Sequence, residues 1–391
     1  MQPDYQEVAE QLFHIAEKTR YVSRRTIEGR LNSVVLSVVQ AIDSGAASDA
    51  ARQIGKEGTR QLQAFLVGPP ELWVVHMRVH NLSSKGLPFR IGNVQLSLAD
   101  EPCLDEMQRP GHAVITTMKH TDHEKEMIKV KLREWIDCEF GGRTVAAVEV
   151  NALDQAAAKR GALDTLRETL DVLNYCRSVL PYPVRSWVYG DADPMPRRAA
   201  SLLYRGSQED PQGFSMPFEN IGTLGKMDLE VLADDDAGRA SVTQILAIAG
   251  RSSRSEVEEK VVTAARVAGA ALTRHRRDHA FLLNVIALES LMLGEQRNEI
   301  PGPLQYRLGL RCAHLLADKV DERRRIVSRV RAIYDRRSAI VHQGKSDVTE
   351  SEVDAAEWLV HRCLQRILAR PEIVAGKSEA LRQWFEDLIL A

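Results

Sequence analysis

The sequence predicts an α+β chain, with a mixed α/β N-terminal region followed by an all-α helical bundle. Alternation marks a half-buried strand in the first half, with Trp73, Val75, Met77 and Val79 on one side and Val74, His76, Arg78 and His80 on the other. Beyond about residue 250, apolar positions keep helical spacing and no convincing strand intervenes. Between the two regimes lie a Gly- and Pro-bearing zone at 206–225 and the polar stretch LADDDAGRAS at 232–241, which suits a linker. The expected division is therefore 1–235, a regulatory or sensor region of no recognisable type, and 250–391, a helical domain.

Taken in order, residues 5–66 read as helical, and GPPE at 68–71 ends that pattern. Strands are expected at 73–80, at 89–99 (FRIGNVQLSLA) and at 113–119 (AVITTMK), then a helix at 124–138. A strand over 141–152 and a long helix over 153–178 follow, and SWVYGD and AASLLYRG suggest two more strands. The later helices are placed at 253–273, 277–294, 302–317, 320–343, 350–369 and 378–390. No repeat of solenoid period and no low-complexity tract is present.

With 391 residues, 44% hydrophobic and 27% charged, the chain has the composition of an ordinary globular protein long enough for two or three domains. The net charge of -2 is too mild for a protein dominated by nucleic-acid binding. Its distribution leaves room for a local basic site, because residues 253–391 hold 23 Lys and Arg against 20 Asp and Glu. The five cysteines are scattered without a CxxC, which reads as a reducing compartment with buried thiols. The acidic, polar N-terminus does not read as a signal peptide. No apolar run reaches the ~18 residues of a membrane span. A cytoplasmic protein without a membrane partner is the expectation.

The stretch 321–344, DERRRIVSRVRAIYDRRSAIVHQG, carries the chemistry. It opens with acids, which suit a helix N-terminus, and closes at Gly344, a natural helix stop. On a helical wheel Val330, Ile333, Ile340 and Val341 fall within about 60° of Ile326, and Arg337 lies at about 20°. An arginine in an apolar stripe needs a carboxylate, a phosphate or a break in the helix. Glu289, the single charge in FLLNVIALESLML, is available as that carboxylate. His342 lies about 140° from Arg337 on the same wheel. The two side chains converge only if the last turn is distorted or if a second copy of the helix crosses the first. Taken alone, His342 also fits a helix-end or surface histidine.

ALESLML, then QYRLGLRCAHLL, then AIYDRRSAIVHQG, in this order and spacing, resemble the Apea-like branch of the HEPN superfamily over roughly 255–370. The resemblance implies an α-helical bundle that dimerises, with Arg-x4-6-His elements of two protomers lining one cleft. It also implies a metal-independent endoribonuclease of the kind found in toxin–antitoxin, CRISPR and anti-phage defence systems, with no cofactor and no metal. Arg337 and His342 map onto the motif arginine and histidine. Ser338 maps onto the next polar position, where Asn, Asp or His is commoner in the best-known nucleases. Tyr334, Asp335 and Glu289 are supporting residues on this reading. A non-catalytic HEPN module that binds RNA or a nucleotide, or that serves dimerisation, is the alternative. The implied partners are RNA, a second copy through the helical domain, and a regulatory protein or ligand at the N-terminal region.

The residue types suit that chemistry. Cleavage through the RNA's own 2′-hydroxyl needs a proton acceptor, a proton donor and positive charge on the phosphorane-like transition state. Histidine titrates near neutrality, and arginine stays charged and binds phosphate oxygens bidentately. Just upstream, Arg323, Arg324, Arg325, Arg329 and Arg331 form a basic cluster. Arg324, Arg325 and Arg331, with Arg336, are candidates to guide an RNA backbone. A solvated helix face paired with Asp321 and Glu322 is the other reading.

Elsewhere His76 and His80 share a strand face, but four residues of strand separate them by about 13 Å. HTDHE at 120–124 offers either metal donors or an N-cap from Thr121 or Asp122. Glu149 and Asn151 lack the companions of a nuclease strand, and GxxxxGK[ST], GxGxxG and GxSxG are absent.

Overall fold

The computed structural model describes residues 22–44, 48–83, 88–179, 188–190, 199–200, 203–206, 211–215, 218–219, 227–228, 240–274, 276–293 and 303–390. The elements are α1 (Arg24–Asp43), α2 (Ser48–Val67), β1 (Glu71–His80), β2 (Leu82–Ser83), β3 (Phe89–Ile91), β4 (Val94–Leu98), α3 (Glu101–Thr117), α4 (Asp122–Phe140), β5 (Thr144–Ala152) and α5 (Gln155–Val179). The short strands β6 (Tyr189–Gly190), β7 (Ala199–Ala200), β8 (Leu203–Gly206), β9 (Pro211–Ser215), β10 (Phe218–Glu219) and β11 (Met227–Asp228) come next. Then come α6 (Ala240–Ala249), α7 (Glu256–Leu272), α8 (Arg277–Met292), α9 (Leu304–Leu316), α10 (Val320–Gln343), α11 (Glu350–Leu368), α12 (Pro371–Val374) and α13 (Ser378–Leu390). The chain is α+β, and every described element beyond residue 250 is a helix.

Five strands join in the order β3-β4-β5-β1-β6. The segment expected as one strand at 89–99 is a hairpin, with Phe89 opposite Leu96 and Ile91 opposite Val94. Gly92 takes φ 57° in the two-residue connection, where a side chain would be strained.

The strand expected at 113–119 is instead the last part of α3. The run Val114-Ile115-Thr116-Thr117 has strand propensity, but a helix has already started upstream. The Asp100 side chain accepts from the Cys103 N–H at 3.1 Å, Pro102 stands in the first turn, and Leu104 and Ile115 are buried. Tertiary packing overrides local preference here. α4 starts at a capping box in which Thr121 and Glu124 bond reciprocally, so HTDHE is a helix start. Strands β9 and β10 fall in the zone that reads as loop, and residues 1–21 and 232–239 lie outside the described set.

The chain separates into two compact units. One comprises 1–77 and 146–166. In it Val22 and Ile27 pack with Leu31, Phe65, Leu66 and Leu153, and Ala152, Ala157 and Ala158 pack with Trp73, Val75 and Val150. The other comprises 78–145 and 167–391. It contains a cluster of Ala99, Leu104, Ile136 and Val145, and the helices α6–α13. The division expected between 235 and 250 falls where 231–239 are outside the described set and 240–249 form α6.

The helical part is built round α8, which packs on α7, α9, α10 and α11. Phe281, Val285, Ala287, Leu288, Leu291 and Met292 of α8 are buried. Its C-terminal carbonyls are met by cations from two neighbours. Arg311 of α9 donates to the Met292 carbonyl at 2.6 Å, and Lys260 of α7 donates to the Leu293 carbonyl at 2.7 Å. Such groups satisfy the carbonyls a helix end leaves open and complement its dipole.

Candidate functional site

The site forms where α8 and α10 pass each other. Glu289 stands near the C-terminus of α8, and its Oε1 lies 3.4 Å from Nε of Arg337 on α10. The same oxygen accepts a short hydrogen bond from the Tyr334 hydroxyl, and the Arg337 guanidinium sits 5.9 Å from the Tyr334 ring centroid. One carboxylate thus holds two side chains that are three residues apart on α10. Burial, then donation to Glu289 and that group's charge, push the Tyr334 phenol well above its ordinary value.

Arg337 is less enclosed than the wheel predicts. Its side chain is 34% exposed and that of Glu289 19%. The reason is the course of the apolar stripe. Ile326, Val330 and Ile333 are buried, but Ile340 is half-buried and Val341 is 53% exposed. The stripe leaves the core after Ile333, and Arg337 stands at the point of exit. A core position for this arginine, sealed from solvent, is therefore corrected to a half-open one.

Ser338 and His342 are exposed. α10 continues as α-helix through Gln343 and closes at Gly344, φ 67°. The Gly344 N–H bonds the Ile340 carbonyl and the Lys345 N–H bonds the Ala339 carbonyl, a Schellman-type stop. The last turn is not distorted, so Arg337 and His342 keep their roughly 140° separation within one chain. Asp335 accepts from Gln305 of α9 at 3.4 Å and faces away from the Glu289 cluster.

The basic candidates divide. Arg324 and Arg325 are exposed, as are Arg329 and Arg331. Arg323 donates to the Ala317 carbonyl at 2.9 Å. Arg336 is committed, because its Nε lies 2.6 Å from Glu352 and its Nη1 3.1 Å from Asp347. Arg336 also holds the Glu352 carboxyl below its ordinary range, and Glu352 completes a capping box with Thr349 at the start of α11. That arginine is a structural clamp, which corrects its place among the backbone-binding candidates.

Two residues without an assigned role in the sequence reading, Arg307 and Arg311, are buried on α9. Arg311 is 2% exposed and lies 5.6 Å from the Phe385 ring. Their i,i+4 spacing beside Leu308 and Leu315 was the available signal. Among the described residues no three His, Cys, Asp or Glu side chains group closely enough to hold a metal ion, and no helix is long and apolar enough to cross a membrane.

The fold and site together define a helical bundle that presents a carboxylate-braced, half-exposed arginine beside an exposed helix-end histidine. Compared with protein-family models, curated proteins and solved structures, the chain matches none.

Proposed function

We propose that this protein is a metal-independent endoribonuclease of HEPN type, a cytoplasmic defence or toxin-like effector acting as a homodimer. Arg337 and His342 are its catalytic pair. The observation that carries the reading is the state of Arg337. Its closest contact with Glu289 is through Nε, and a third of the side chain is open. The terminal nitrogens are then left for phosphate oxygens, which guanidinium binds bidentately.

In the proposed step His342 accepts the proton of the RNA 2′-hydroxyl as O2′ bonds to phosphorus. The P–O5′ bond breaks, and a second proton donor, the partner copy's imidazole, protonates the 5′-oxygen. A 2′,3′-cyclic phosphate and a 5′-hydroxyl result. Arg337 stabilises the charge that builds on the phosphorane, a contribution of several kcal/mol where donors are positioned in advance. The straight α10 supports the dimeric form of the reading, since Arg337 and His342 of one chain point to different sides. The region before residue 235 is assigned the regulatory role, with a protein or small ligand as its trigger.

The test is cleavage of RNA in EDTA by wild type, His342→Ala and Arg337→Ala. His342 is exposed, so its variant keeps the fold and isolates the chemistry. Loss of cleavage in His342→Ala is expected. Normal cleavage by that variant, or none by wild type under any activating condition, overturns the reading. The second reading, a non-catalytic HEPN module, is favoured by Ser338 after the arginine. It predicts RNA or nucleotide binding that depends on Arg337 with no cleavage at all.

A further inference from the structure

We infer that the solvent-facing side of α10 is a track for the backbone of single-stranded RNA, running from Arg324 through Arg331 to His342. This rests on the ribonuclease reading and adds where on the protein the substrate strand lies. Residues 324, 328, 331, 335, 338 and 342 are all exposed. Their 4-3-4-3-4 spacing confines them to an arc of about 80° on an α-helix. Eighteen residues at 1.5 Å each carry that stripe about 27 Å along the helix axis. It is occupied by Arg324, Ser328, Arg331, Asp335, Ser338 and His342, with no apolar side chain among them.

The charges on this face are available. Among the described residues Arg331 enters no ion pair. Arg324 reaches Asp321 at 3.4 Å, but the two side chains are 78% and 83% exposed. An exposed pair of that kind contributes little and exchanges readily for phosphate. Asp335, the acid in the middle of the stripe, already accepts from Gln305. The arginines with internal duties, Arg323 and Arg336, point elsewhere. The stripe leads to Ser338 and His342, so a strand laid along it delivers a phosphate to the proposed base.

In-line attack by O2′ on phosphorus needs a backbone free to leave A-form geometry, so the track takes a single strand and not a duplex.

The experiment measures affinity of the full-length protein for a fluorescent 2′-O-methyl single-stranded RNA, which cannot be cleaved, across a salt series. Arg324→Gln, Arg331→Gln and their combination are compared with wild type and with Arg52→Gln, an exposed arginine of α2. The slope of log K against log salt should fall by about 0.7 for each track arginine removed and by about 1.4 for both. Arg52→Gln should keep the wild-type slope. An unchanged slope in the double variant overturns the track, and so does equal affinity for heparin or for an RNA duplex. If wild type binds with the expected slopes yet cleaves nothing under any activating condition, the track stands and the ribonuclease reading falls. If wild type cleaves while the slopes do not move, the reading stands and the track falls. No RNA binding by wild type overturns both.

Discussion

Tyr334→Phe removes one hydroxyl and leaves the ring, so it isolates the bond that Tyr334 donates to Glu289. A hydrogen bond to a charged group is worth about 1.5–3 kcal/mol, and Glu289 is partly solvated, so a loss of about 1.5 kcal/mol is expected. Glu289→Gln keeps the shape and an acceptor but removes the charge facing Arg337. With the pair at 3.4 Å and 34% and 19% exposed, its cost lies between that of a surface pair and a buried one, about 1 kcal/mol. Both partners use the same oxygen, Oε1. The double variant should therefore lose less than the sum of about 2.5 kcal/mol, because neighbours sharing a partner are not additive. Urea unfolding followed by circular dichroism reads all four proteins. Strict additivity, or a Tyr334→Phe value within about 0.3 kcal/mol of wild type, would refute the shared-carboxylate arrangement. On the proposed ribonuclease function both variants should slow cleavage, Glu289→Gln more than Tyr334→Phe.

Gly269 of α7 faces the backbone of α5, and a Cβ there would stand 1.8 Å from the Asp171 carbonyl oxygen and 2.6 Å from its carbon. Backbone atoms cannot swing aside, so Gly269→Ala should cost about 3 kcal/mol or more, and a wild-type urea midpoint would count against the close packing. The Arg336 clamp lowers the Glu352 carboxyl, so this pair adds stability above the unfolded value of about 4.3 and loses it as pH falls through the lower folded value. Glu352→Gln should accordingly show a shallower loss of stability on acidification than wild type, and parallel curves would contradict the clamp. Burial raises the phenols of Tyr175 and Tyr334, and folding favours their neutral forms. They contribute stability below about pH 10 that is lost as pH rises further. In an alkaline titration by tyrosinate absorbance, these two of the eight tyrosines should ionise only with unfolding. A full set titrating reversibly in the folded protein would show them to be solvated.

Much of the helical part is legible from local pattern. The helices expected at 320–343 and 378–390 match α10 and α13. Gly344 reads as a stop because only a residue tolerant of positive φ closes a helix this way. The pairing of Arg337 with Glu289 follows from the cost of a charge in an apolar stripe, which names its own remedy. Where the reading failed, a contact distant in the chain decided the outcome. At 113–119 a β-branched run became helix because α3 had started at Asp100 and packs on α4. Arg336 looks like its exposed neighbours until Asp347 and Glu352, eleven and sixteen residues on, fold back to it.

The sequence by itself determined the α+β class, the run of helices after residue 250, and the need of Arg337 for a carboxylate, a phosphate or a break in the helix. These depend on periodicity and on the price of burying charge, both of which are written locally. Only the tertiary structure decided how far Arg337 is covered, that Tyr334 shares its carboxylate from 45 residues away, and that the last turn of α10 stays regular with His342 exposed. Exposure depends on where neighbouring helices end. α10 outruns its cover after Ile333, and that single fact turns a buried charge into a half-open one.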